Sequence, residues 1–212
     1  MAKLIARQSE ALANYCIEKA NITDIKKIAE IKYGAYFFIS ALYKLPLMYI
    51  PAIIFGVFGE VIISSLVFSV LRFFAGGVHA KTHTGCALAG NFVMGYLPIL
   101  TAIGINKLGL QPCIIEQIKL IICTISIALI SAYAPADLES KPIYSTKRKQ
   151  IFKVISAIAV LIAYGISLLV NSYYGVLIMV AVILEVLSIT PLAYKIFKNK
   201  YGNTNKTIAG EG

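Results

Sequence analysis

The sequence predicts an all-α integral membrane protein: about six transmembrane helices in one multi-span domain, led by an amphipathic interfacial helix. Three observations carry that reading. Of 212 residues, 58% are hydrophobic and 14% charged, with a mean hydropathy of +0.78. A soluble domain carries roughly 25% charged residues. Between Lys153 and Lys195 lie 41 residues whose only acid or base is Glu185. That is roughly 60 Å of helix, about twice the thickness of a hydrocarbon core. The basic residues, finally, fall in blocks that alternate with the apolar runs.

Taken in order, residues 1–32 mix charge with apolar positions at helical spacing, among them Leu4, Ile5, Leu12, Tyr15, Ile25 and Ile28. This is an amphipathic helix, lying along a leaflet or packed on the bundle, and no signal peptide precedes it. Residues 33–194 form the bundle. Tyr33 to Leu71 is interrupted only by Lys44 and Glu60 and reads as two spans joined by a turn at Gly56–Glu60. Cys86–Ile105 and Leu120–Ala136 are single spans, and the run from Lys153 to Lys195 is two spans with a turn at Asn171–Gly175. Residues 195–212 are a tail.

Charge sets the expected orientation. Six spans put the basic N-terminus, the loop with Lys141, Lys147, Arg148, Lys149 and Lys153, and the tail with Lys195, Lys198, Lys200 and Lys206 on one side. Only Lys107 and Lys119 lie opposite. The positive-inside rule makes both termini and the segment around His79 cytoplasmic in the cell membrane. The net charge of +10 suits anionic lipid, and Lys147-Arg148-Lys149 suits an acidic peptide segment. Basic residues split among loops do not suit nucleic acid. A homodimer is compatible with so small a bundle.

The chemistry concentrates in Arg72-Phe-Phe-Ala-Gly-Gly-Val-His79-Ala-Lys-Thr-His83-Thr-Gly-Cys86, which holds both histidines and one of four cysteines. The cysteines have no C-x-x-C spacing, so no disulfide framework is indicated. On one regular helix His79 and Cys86 would stand about 10.5 Å apart. Breaks at Gly76-Gly77 and Gly85, with Thr82 or Thr84 as a cap, would let the segment fold back and start a helix near Cys86. A helix N-terminus and a nearby imidazolium favour the thiolate, giving a nucleophile with His79 as proton partner. An unbroken helix would instead line up His79, His83 and Cys86 as three zinc ligands. Lys44, Glu60 and Glu185 could mark a transport path, and Lys44 and Glu185 are placed to pair near mid-span.

Arg72, Gly76-Gly77-Val78-His79-Ala80 and Cys86, between two spans of a chain this long, resemble the accessory gene regulator protein B family, membrane endopeptidases of peptide quorum sensing. Ile31-Lys32-Tyr33-Gly34 and Tyr133-Ala134-Pro135-Ala136-Asp137 with Lys141-Pro142 are also similar, although Tyr36 stands where members often have Glu or Gln. The resemblance implies Cys86 as nucleophile, His79 as its base, and dependence of activity on Arg72 and Gly77. It calls for no cofactor and no metal. It implies as substrate a precursor peptide with an amphipathic leader and an acidic C-terminal segment, released as a cyclic thiolactone or lactone. Asp137 or Glu139 is the candidate for orienting His79. Gly85-Cys86 amides, or Arg72, are the candidates for stabilising the oxyanion.

Overall fold

The computed structural model describes residues 2–80, 83–109, 111–137 and 143–200, with the backbone alone of residues 2, 83, 84, 106 and 108. Thr82, Glu139, Lys141-Pro142 and Lys206, and the side chains of His83 and Thr84, lie outside what is described. The chain is an all-α membrane protein. Among the described residues, five helical stretches are long and apolar enough to cross a membrane: Ile25–Ile54, Phe58–Ala75, Gly85–Ile105, Pro112–Tyr133 and Thr146–Leu169. A sixth apolar helix, Ser172–Ser188, has 17 residues, about 26 Å of rise.

The helices are α1 (Ala2–Lys19), α2 (Ile25–Ile54), α3 (Phe58–Ala75), α4 (His83–Asn91), α5 (Leu97–Leu108), α6 (Pro112–Tyr133), α7 (Thr146–Leu169), α8 (Ser172–Ser188) and α9 (Pro191–Ile196). A π-helical turn, Phe92–Tyr96, joins α4 to α5. Gly95 within it lies against Met48 of α2, where a Cβ would come 2.8 Å from Met48 Cγ. Such turns insert one extra residue into an α-helix and recur at functional sites.

The amphipathic segment is shorter than residues 1–32. Asn21, at φ 47°, stands just past the end of α1, and the Asp24 carboxylate accepts from Lys26 N to start α2. An Asn in the left-handed region past a helix end and an Asp at the next N-cap are strong boundary signals. Residues 25–32 therefore belong to the first long helix. Helix α1 folds back along α2, burying Ile5, Ser9 and Ala13, and Tyr43 donates to Gln8 Oε1 at 2.8 Å.

Helix α8 is the axis of the bundle, packed against α3, α5, α6 and α7. Gly175, Val176, Leu177, Ile178 and Met179 are buried in unbroken succession, so it faces protein on all sides. The turn before it is tight, with Val170 ending α7 and Asn171 accepting from Tyr173 N. Helix α6 shows the complementary pattern, a single buried stripe of Ile115, Lys119, Cys123, Ser126 and Ile130. Lys119 is 1% exposed; its Nζ donates to Ser167 O at 2.8 Å and pairs with Glu116 at 2.7 Å.

At the opposite end of α8, α3 stops at Ala75 and the chain turns through Gly76 (φ 80°) and Gly77 (φ 122°). The stretch after α6 pins this turn from one side: Ala136 N donates to Ala75 O (2.8 Å), and Gly77 N donates to Ala136 O (3.0 Å). From the other side Ser188 O, at the end of α8, accepts from Val78 N at 3.2 Å. A side chain at Gly76 would need the left-handed region and would strike the Ala136 carbonyl. Gly76→Val should therefore lower the thermal unfolding midpoint in detergent, by the equivalent of about 1–3 kcal/mol. Gly59→Ala, helical and with open space around its Cβ, should leave the midpoint within error of the native value.

Candidate active site

Arg72 lies in the last turn of α3, where its guanidinium reaches three elements. Nη1 pairs with Glu185 Oε2 at 3.1 Å and donates to Ser188 Oγ at 3.1 Å, both on α8. Nη2 donates to the carbonyl of Val78, in the turn that carries His79. The Glu185 side chain is fully buried and that of Arg72 is 23% exposed. The pairing expected between Lys44 and Glu185 is thus not formed. Glu185 stands one turn before the end of α8, level with Arg72, and the guanidinium offers a bidentate-capable donor set that an ammonium lacks.

Gly77 owes its identity to this cluster. A Cβ there would strike Ser188 Oγ and come 3.1 Å from Arg72 Nη1. Its φ of 122° is also in the region that favours glycine. Arg72 and Gly77 accordingly shape the turn that presents His79, and Arg72, engaged on three partners, is not poised as an oxyanion donor.

Residues 77–80 are not helical, and α4 begins at His83, so His79 and Cys86 do not share a helix. The continuous face needed to align His79, His83 and Cys86 is absent. Gly85 is not a break either; it lies inside α4, and the reversal comes from Gly76 and Gly77. The turn brings His79 Nδ1 to 4.0 Å from Cys86 Sγ, in the first turn of α4. That is the outer edge of a hydrogen bond to sulfur, and apo geometries of this kind tighten when substrate binds. His79 is exposed and Cys86 half-buried, so a ligand reaches both.

Two cavities meet at His79 and Arg72, and Cys86 lines one of them. The larger, of about 610 Å³, is lined mainly by apolar side chains of α2, α4, α8 and α9, with Cys86, His79 and Arg72 at its edge. The smaller is bounded by His79, Gly77, Phe74, Phe152, Pro135 and Asp137. Asp137 is buried, accepts from Ile143 N at 3.0 Å, and its carbonyl accepts from Tyr194 Oη at 3.0 Å. It lines the smaller cavity together with His79. Lys147, Arg148 and Lys149 form the first turn of α7 and line neither cavity. Glu60 accepts from Tyr173 Oη at 3.2 Å, at the far end of α8, and of Lys44, Glu60 and Glu185 the larger cavity is lined by Lys44 alone.

Two polar contributors escape sequence reasoning. Ser188 and Asn199 carry no local signal: Asn199 Nδ2 donates to the His79 carbonyl at 2.6 Å from a stretch that reads as free tail, and Ile196 and Phe197 line the larger cavity. Glu185 did have a signal, as the only carboxylate of its apolar run, and only its partner was misassigned. Removing that carboxylate alone leaves Arg72 uncompensated. Glu185→Ala should destabilise the protein in detergent by about 3 kcal/mol, and adding Arg72→Met should restore much of the loss, as read from thermal unfolding of both single variants and the double.

The family model for accessory gene regulator B matches residues 9–189. An AgrB-like protein of Listeria monocytogenes serotype 4b is 28% identical over 206 residues, covering 93% of this chain and 94% of the relative. The accessory gene regulator protein B of Staphylococcus aureus strain Newman is 27% identical over 181 residues, 84% of this chain and 89% of that one. No solved structure matches. With the match running from α1 through α8 and across the whole His79–Cys86 turn, the chain belongs to the accessory gene regulator B family.

Proposed function

We propose that this protein is a membrane cysteine endopeptidase that cleaves a short precursor peptide and releases a cyclic signal for quorum sensing. The observation that carries the reading is the approach of His79 Nδ1 to Cys86 Sγ, 4.0 Å, at the edge of an apolar cavity of about 610 Å³. A thiol beside an imidazole at a helix start is the arrangement of an activated nucleophile. Membership of the accessory gene regulator B family supports it.

The chemistry runs as follows. Cys86 passes its proton to His79 and attacks the scissile carbonyl of the precursor. The C–N bond breaks, His79 protonates the departing amine, and the C-terminal piece leaves. The leader portion stays on Cys86 as a thioester. A Cys or Ser within that portion then attacks the thioester carbonyl, giving a thiolactone or lactone and returning the proton to the Cys86 sulfur through His79. An apolar cavity disfavours water as the competing nucleophile, and an intramolecular attacker has a high effective concentration. A thioester formed from an amide lies uphill, so removal of product downstream draws the reaction forward.

In this reading the termini and the site face the cytoplasm, and the amphipathic leader of the precursor lies on anionic lipid at that face. The acidic segment of the precursor meets Lys147, Arg148 and Lys149, which are exposed or half-exposed. The test is co-expression with a candidate precursor, a short peptide with an amphipathic leader and an acidic C-terminal segment, read by intact mass. Native protein should yield a truncated peptide, its cyclised form lighter by one water, and an acyl adduct on Cys86. Cys86→Ala should yield none of these, and His79→Gln should slow cleavage by about 10²–10⁴-fold. Undiminished processing by Cys86→Ala would overturn the assignment.

A further inference from the structure

The larger cavity holds a charge that the chemistry of Cys86 and His79 leaves unused. Lys44, on α2, lines it together with Ser40 and Met48, and the same cavity is bounded by Cys86, Asn91 and Leu187. Lys44 is half-buried and has no ion-pair or hydrogen-bond partner among the described residues. Among the described residues no Asp or Glu lines the cavity, Glu185 is engaged by Arg72, and Glu60 accepts from Tyr173. Asn91 is 5% exposed, and its Nδ2 is buried without a hydrogen-bond partner among the described residues. An apolar chamber with an ammonium, an under-used amide and no carboxylate of its own is complementary to an apolar ligand that brings one.

The geometry points to Lys44 as a specificity-determining residue: its ammonium receives a carboxylate of the bound peptide while the apolar walls take the neighbouring hydrophobic side chains. This rests on the peptidase reading above and adds the chemistry by which the peptide is chosen. A half-buried ammonium gains more from a carboxylate than a fully solvated one does, and the contact is a charge-assisted hydrogen bond. The carboxylate is either an acidic side chain of the peptide or a free C-terminus. The basic turn at Lys147, Arg148 and Lys149 lines neither cavity, so it cannot perform this selection within the chamber.

The experiment measures occupancy without chemistry. Full-length protein in detergent is alkylated with iodoacetamide, and the rate at Cys86 is followed by peptide mass. Exposed Cys16 and Cys113 serve as internal controls. Three probes are compared: acetyl-Leu-Phe-Glu-amide, acetyl-Leu-Phe-Gln-amide, and acetyl-Leu-Phe-Gln with a free carboxylate. One or both acidic probes should protect Cys86 at about tenfold lower concentration than the neutral one, as expected for one charge-assisted contact. Which acidic probe protects identifies the source of the carboxylate. Lys44→Met should abolish the preference and Lys44→Arg should retain it, with Cys16 and Cys113 alkylated at native rates in both. Equal protection by acidic and neutral probes, or a preference that survives Lys44→Met, would overturn the proposal. Failure of the peptidase reading registers separately: a Lys44-dependent preference in a protein whose precursor processing ignores Cys86→Ala keeps the site and removes the enzyme.

Discussion

The site depends on one ion pair. Arg72 and Glu185 join the last turn of α3 to the last turn of α8, and the same guanidinium holds the Val78 carbonyl. A charge so far removed from water is costly unless paired and hydrogen-bonded, so the pair forces α3, α8 and the Gly76–His79 turn into one arrangement. The β-bridge between Gly76 and Ala136 then ties the stretch after α6 to the same point. His79 is placed by the backbone contacts of Gly77 and Val78 just before it and by Asn199 at its own carbonyl, and the short reach to Cys86 follows from where that turn must lie.

Much of the fold was legible because hydropathy is a local property. The spans, the turn at Gly56 and the break at Gly76-Gly77 all follow from runs of residues that lipid tolerates or rejects. Partner choice was not legible. Glu185 had two basic candidates, Lys44 and Arg72, and hydropathy cannot say which of two cations shares its depth; only the staggering of α2, α3 and α8 decides it. Gly76 and Gly77 were correctly suspected as breaks because paired glycines cost little at positive φ. Gly85 shows the limit of that argument, since a glycine permits a break without requiring one.

The division of labour within the segment also becomes clear. Gly77 and Arg72 touch each other's surroundings more closely than either touches Cys86, so their effect on any reaction there is through the shape of the turn. The tail contributes in the same way. Ile196 and Phe197 form part of the cavity wall, and Tyr194 closes the core beneath Asp137, which makes the segment after α8 part of the chamber.

The sequence distance between the paired charges has a consequence for how the protein is made. Arg72 and Glu185 are 113 residues apart, and Asn199 is 120 residues beyond His79. At roughly 5–20 residues per second, a ribosome delivers α3 and its arginine on the order of 6–20 s before the carboxylate that neutralises it. During that interval the guanidinium lacks its carboxylate, and its place in the last turn of α3 is one from which a long side chain can reach the lipid–water boundary. The turn bearing His79 has neither its α8 anchor nor its Asn199 contact until the final helices emerge. Cys86 and His79 are thus synthesised early and brought into register last, so a half-made chain in the membrane carries the thiol without the contacts that set it beside the imidazole.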